Sequence, residues 1–218
     1  MISDRIKKLA FLAKDSYKVC DVGCDHGYLV IELFNNYGLN KAVLIDNKQM
    51  PLDSARKNIL TFASSKKEDV RYSLSSGIND VDSDSDTIVI AGMGGILIKN
   101  ILEDGFKTNG KPYYEKMKFI LQANRNVSDL RFHLNNNGFY IEDEELIYED
   151  GKYYEIIVCY MKNDVSPLTY SEIEFGPILL KKKGEIFVNK YKEEIKKLEK
   201  INSDNLKDKI ERIKKICL

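Results

Sequence analysis

No apolar run in this 218-residue chain approaches the ~20 residues needed to span a bilayer, and no apolar signal segment follows Met1. Both absences point away from a membrane and away from secretion. Cysteine is scarce. Cys20, Cys24, Cys159 and Cys217 form no Cys-x-x-Cys pair and no cysteine–histidine cluster of metal-ligand spacing, so thiols in a reducing cytoplasm are expected, and no metal. Net charge is also missing: 34 basic and 34 acidic side chains cancel, which excludes a global field drawing in a polyanion. There is no internal repeat and no low-complexity segment. The remainder is ordinary for a folded domain, 43% hydrophobic and 31% charged, and its length suits one α/β domain plus an appendage.

What the chain does contain is organised around Cys20-Asp21-Val22-Gly23-Cys24-Asp25-His26-Gly27-Tyr28. A β-like run at 17–20 precedes it and a helix-like run at 29–34 follows, which predicts the first strand-to-helix turn of an α/β sheet. Gly23 and Gly27 permit positive φ and let a ligand lie against bare backbone, while helix amides beyond them suit a carboxylate or phosphate. A dinucleotide site would space its glycines G-x-G-x-x-G. Here Asp25 takes the middle place, Gly27 comes one residue early, and Asp21 stands two residues before Gly23. The spacing D-x-G-x-x-x-G resembles motif I of the class I S-adenosylmethionine-dependent methyltransferases, with Asp25 replacing the middle glycine. A tight turn without a ligand would explain the glycines alone. The second strand candidate, 41–46, favours a ligand because it ends in Asp46, where a carboxylate can accept from ribose hydroxyls.

In chain order, Ser3 and Asp4 predict the cap of a first helix with Ile6, Leu9, Ala10 and Ala13 on one face, a lid packed on the sheet. Pro51 suits the first turn of a helix. A third strand at 69–74 leads into the polar turn Ser75-Ser76-Gly77-Ile78-Asn79-Asp80. A fourth, 87–91, is apolar after Thr87 and is followed by Gly92-Met93-Gly94-Gly95 and a helix at 96–102. In a doubly wound sheet that second glycine loop opens on the same crevice as the first. A strand at 117–123, a helix at 126–137, and strands at 139–147 and 153–161 joined through Asp150-Gly151 complete the domain, Asp-Gly being a hairpin signal. A parallel sheet finished by an antiparallel hairpin is the class I methyltransferase pattern.

Residues 163–169, with Pro167, read as a linker, dividing the chain into a catalytic domain at 1–162 and an arm at 163–218. In the arm Ile186, Phe187, Tyr191, Ile195, Leu198 and Ile201 keep helical spacing, Asn202-Ser203-Asp204-Asn205 breaks it, and Leu206, Ile210, Ile213 and Cys217 resume it. An antiparallel helical hairpin is expected. It could serve as packing or as an oligomerisation zipper. From Lys181 onward, however, 13 basic side chains face 7 acidic ones, an excess that suits a phosphate backbone. The oligomeric state stays open, a monomer being compatible.

The whole chain resembles the bacterial tRNA adenine-22 N1-methyltransferases. The similar segments are 21–29, Pro51-Leu52, Ile90-Ala-Gly-Met-Gly-Gly95, Leu121-Gln-Ala-Asn124 with Leu130-Arg131, and Phe175-Gly-Pro-Ile-Leu-Leu180, of which the fourth-strand segment is the most specific. The resemblance implies a Rossmann-like α/β domain with a coiled-coil arm, S-adenosylmethionine as methyl donor, and tRNA methylated at adenine N1. Donor contacts are expected at Asp21, Gly23, Gly27, Asp46, Asn47, Ser76, Gly77, Ala91 and Gly92, and reacting-edge roles at Asp25, His26, Gly92 and Met93. Two departures stand out. Ser76 occupies the place of the family's usual acid after strand three, shortening the contact to the donor's adenine, and Ala123 replaces a proline. Three other readings are carried: a small-molecule methyltransferase, which needs no basic arm; a silent tRNA-binding protein, which would not retain the donor; and, disfavoured by Asp25, a nicotinamide enzyme.

Overall fold

The computed structural model describes residues 2–201 and 206–217, Cys217 by its backbone alone. The expected helix break at 202–205 lies outside the described residues. Seven strands form one sheet in the order β3-β2-β1-β4-β5-β7-β6. They are β1 (Lys18–Val22), β2 (Lys41–Asp46), β3 (Val70–Leu74), β4 (Thr87–Met93), β5 (Lys118–Ala123), β6 (Phe139–Glu149) and β7 (Lys152–Met161). The first five are parallel. β7 runs antiparallel and sits between β5 and β6, so the hairpin folds back to insert its second strand against the parallel sheet.

The central parallel strands are apolar on both faces because both faces are covered. Val19, Ala42, Leu44 and Val89 point to one side and pack under α1 (Asp4–Leu12), α2 (Tyr28–Asn36) and α3 (Gln49–Phe62). Cys20, Val22, Val43, Ile45, Ile88 and Ile90 point to the other, under α4 (Gly95–Asn109) and α5 (Val127–Asn136). β1 is longer than its sequence pattern suggests. It runs through Val22 because Asp21 and Val22 pair with β2 on one edge and β4 on the other. That places an acid inside the sheet. α1 starts at the Ser3 cap, whose hydroxyl accepts from the Ile6 amide, and buries Leu9 and Ala10 as its spacing predicts. The chain reverses direction across the sheet between β1 and β4, which makes the carboxyl ends of those strands the switch point where ligands of open α/β sheets bind.

After the linker come α6 (Tyr170–Phe175), α7 (Pro177–Lys182), α8 (Glu185–Ile201) and α9 (Lys207–Cys217). Their apolar residues Phe175, Leu179, Phe187, Tyr191, Ile195 and Ile213 gather around Leu146 of β6 in a small core of their own. Lys209–Glu194 at 2.7 Å and Lys214–Glu199 at 2.8 Å tie α9 to α8. Such exposed pairs contribute about 0–1 kcal/mol each, so the shared apolar face carries the pairing. A buried polar cluster fastens the base of this segment to the sheet. Arg131 of α5, fully buried, donates to Glu144 at 2.7 Å and pairs with Glu155. Glu144 also accepts from the amides of Ile178 and Leu179, and Lys190 of α8 reaches Glu155. Gly176 is required here: its φ is +92°, and a Cβ would stand 2.6 Å from Glu144 Oε2 and 2.8 Å from Arg131 Nη2. Burial works against Glu155 ionising, but Arg131 and Lys190 outweigh it and hold the carboxyl at about 2.

Candidate active site

The carboxyl ends of β1, β2 and β4 border a crevice of about 660 Å³. On its floor the first glycine loop is pinned to β2, the amides of Gly23 and Cys24 both donating to the Ile45 carbonyl at 2.8 and 3.3 Å. Asp21, Gly23, Asp25, His26, Asp46 and Asn47 line one side, and Ala91, Gly92 and Met93 line the other. Nine of the residues expected at the site therefore come together. Three do not. Gly27 begins α2 at φ +72°, and a Cβ there would lie 3.1 Å from Ala55 Cβ, so this glycine lets α2 pack on α3 and lies outside the lining. Ser76 and Gly77 follow β3 without entering the lining; Ser76 is exposed, and Gly77 closes on Ile101 of α4.

Asp25 adopts φ +47°, the left-handed conformation in which glycine is at ease and which aspartate tolerates better than most residues. It holds the glycine-like turn while adding a carboxylate. Its Oδ1 lies 3.6 Å from His26 Nε2, and both side chains are largely exposed. Asp46 Oδ1 accepts from the Lys48 amide at 3.0 Å, which orients the carboxylate at the end of β2. The Asp21 carboxyl makes no hydrogen bond among the described residues. Burial, with smaller contributions from the Asp25 and Asp46 charges, pushes its carboxyl up to about 7. Burial likewise raises the Cys24 thiol above its ordinary range, with Asp21 and Asp46 adding to the effect, so it stays protonated and unreactive.

The second glycine loop is a bulge. The register between β4 and β5 slips between Ala91 and Met93, and Gly92, at φ +79°, is the extra residue. β5 clamps it in place. The Gly92 amide donates to Gln122 Oε1 at 3.0 Å, the Gly92 carbonyl accepts from Asn124 Nδ2 at 2.7 Å, and the Asn124 amide donates to the Met93 carbonyl at 2.7 Å. Gln122 and Asn124 are joined by a further bond of 3.0 Å. Met93 turns its side chain toward the first loop, where any Cβ on Gly23 would overlap its Cε. The two glycine loops thus meet across the crevice.

Arg5, on α1, enters the same lining. Its Nη1 donates to Gln122 Oε1 at 2.9 Å and its guanidinium lies 5.4 Å from the Tyr154 ring centre. Sequence reasoning missed Arg5, because the helix pattern assigned α1 to packing. It also gave Gln122 and Asn124 no role, although their segment is legible; only the bulge shows that both side chains serve Gly92.

A family model described as tRNA (adenine(22)-N(1))-methyltransferase matches residues 19–216. The chain belongs to this family. Family membership makes it an S-adenosylmethionine-dependent methyltransferase of tRNA adenine N1. A tRNA (adenine(22)-N(1))-methyltransferase of Bacillus subtilis (strain 168) is 29% identical, over 92% of this chain and 84% of that protein. The crystal structure of Streptococcus pneumoniae Sp1610 in complex with S-adenosyl-L-methionine covers 100% of both chains at 35% identity and a TM-score of 0.87. The structure of M. capricolum TrmK with S-adenosyl-homocysteine covers 99% of this chain and 97% of the other at 29% identity, with a TM-score of 0.80. Against these full-length matches the two expectations outside the donor-dependent enzyme class, a silent binder and a nicotinamide enzyme, lose their ground.

Proposed function

We propose that the crevice between the two glycine loops is where this methyltransferase holds its donor and presents the target adenine. The observation that supports this most is the bulge at Gly92, a bare and clamped stretch of backbone that lines the crevice beside Met93, whose side chain closes on Gly23. The crevice fits the donor chemically. Asp46 suits ribose hydroxyls, Asp21 is a buried carboxyl with no partner among the described residues and suits a cationic group, and Arg5 suits a carboxylate. S-adenosylmethionine supplies an electrophilic methyl group when bound, so the protein's task is alignment and exclusion of water.

Adenine attacks through the N1 lone pair, which lies on its pairing edge, so a stacked or paired adenine must first be splayed out. Gly92 leaves room for the ring, and Met93 offers it an apolar surface. The Gly92 carbonyl spends one acceptor position on Asn124 and keeps the other for the exocyclic amine. That amine becomes acidic once N1 carries the methyl group, and Asp25 and His26 are the titratable pair placed to take up its proton. Ser76 and Gly77 then remain at the outer rim, beyond the lining. The basic helices α8 and α9, which carry much of the arm's positive excess, hold the tRNA in this reading, within a reducing cytoplasm.

Titrating S-adenosylmethionine into two variants and measuring their turnover tests the assignment. Asp46→Ala is expected to weaken donor binding by on the order of tenfold or more, through loss of a charge-assisted bond. Asp25→Asn, which tolerates positive φ, is expected to bind donor normally and turn over slowly. Unchanged donor affinity in the first removes Asp46 from the site, and normal turnover in the second removes the proton-transfer role.

A further inference from the structure

We propose that Arg125 holds a phosphate of the tRNA beside the target adenosine, on the acceptor side of the crevice. The inference rests on the activity stated above and adds a positioning residue to it. The chain has six arginines, and five have partners. Arg5 bonds Gln122, Arg56 lies over the Tyr72 ring, Arg71 pairs with Asp80 and Asp82, Arg131 with Glu144 and Glu155, and Arg212 with Glu174. The Arg125 guanidinium makes no hydrogen bond, ion pair or ring contact among the described residues, in a chain with as many acidic as basic side chains.

Its placement is fixed although its charge is unpaired. The Arg125 carbonyl accepts from the Gly95 amide at 2.8 Å, and the preceding residue, Asn124, bonds both Gly92 and Met93. The side chain lies on Gly94, where a Cβ would stand 3.3 Å from its Nε and 3.6 Å from its Cγ. A larger residue at 94 would displace it. The guanidinium is therefore carried by the same clamp that shapes the Gly92 bulge.

Electrostatics decides what it meets. Asp25 and Asp46 lie on the β1–β2 side of the crevice, where their carboxylates repel an RNA backbone. Arg125 follows β5, on the far side of β4 from those acids. Arg5 already lines the donor crevice and Arg125 does not, so the free guanidinium is left for the substrate. A splayed adenosine entering over the Gly92 to Gly94 loop brings its phosphates to the rim, and a planar fork of donors suits one of them bidentately.

The test uses the full chain and an unmodified tRNA transcript, measuring tRNA binding over a salt series, steady-state methylation, donor affinity and melting temperature. Arg125→Ala is expected to raise KM for tRNA on the order of tenfold, as loss of a charge-assisted bond would. It should also lower the slope of log binding against log salt by about 1, as loss of one phosphate contact would. Donor affinity and melting temperature should match the wild type, Arg125→Lys should recover most of the loss, and Arg125→Glu should bind worst. A wild-type KM and salt slope in Arg125→Ala overturns the proposal. So does a matching loss of donor affinity or stability, which would make the residue a brace for the loop, and so does failure of Arg125→Lys to recover, which would indicate stacking on a base. If the wild-type enzyme methylates no tRNA, the underlying activity falls and this inference with it; if it does and Arg125→Ala is indistinguishable, only this inference falls.

Discussion

At the scale of single residues, Asp21 and Glu155 set opposite limits on stability. Asp21 titrates at about 7 in the folded chain, far above its ordinary value, so between about pH 4 and pH 7 the folded state binds more protons than the unfolded one. Stability therefore declines as pH rises through that window. Glu155, held at about 2, contributes stability that is present above its ordinary range and is lost as pH falls toward 2. Asp21→Asn keeps the neutral form at every pH. Melting curves without donor should show the variant more stable than wild type at about pH 8 and equal to it at about pH 4, and an equal offset at both pH values would mean that Asp21 is not the group being titrated. The motif made Asp21, Asp25 and Asp46 legible as site acids. The elevated carboxyl was not legible, because it arises from burial within a strand longer than its pattern, and from the charges of Asp25 and Asp46 that the fold sets beside it.

Among the elements, the β4–β5 clamp and the α5–β6–β7 cluster do the positioning. Strand identities were plain in the sequence because β2 and β4 at the centre of the sheet are apolar on both faces, and the Asp-Gly turn announced the hairpin. The bulge was not plain, since Gly92-Met93-Gly94-Gly95 reads as a loop until Gln122 and Asn124 are seen to hold it. Nor was the buried cluster, whose members lie far apart in the chain. Arg131 is its centre, with no exposure and carboxylates on two strands. Removing one member of such a group strands the others as unpaired buried charges, at a cost of about 3–5 kcal/mol. Denaturant unfolding of Arg131→Leu should show a loss of that size. A loss below about 1 kcal/mol would mean that water reaches Glu144 and Glu155 and that the cluster does not hold α7 to the sheet.

For the whole molecule, the linker after Lys162 is a compositional boundary, while α6 and α7 are built into the fabric of the sheet. Cutting there would strip Glu144 of the Ile178 and Leu179 amides, deprive Glu155 of Lys190, and uncover Leu146. A cut after Ile201 is gentler: it removes α9 with Lys207, Lys209, Arg212, Lys214 and Lys215 and takes Ile213 from the small core, but keeps Phe175, Leu179, Phe187, Tyr191 and Ile195 against Leu146. The shortened chain should fold and bind donor as before, with weaker tRNA binding and a flatter salt dependence. Unaltered tRNA binding would move the RNA grip onto the sheet domain. The central claim is that this fold methylates N1 of an adenine in tRNA. Mass spectrometry of nucleosides from an unmodified tRNA transcript, after incubation with the chain and S-adenosylmethionine, tests it most directly. The account predicts one 1-methyladenosine per transcript, at position 22, lost when that adenine is replaced by guanine; no methylated nucleoside, or a methyl group on another atom or base, would contradict it.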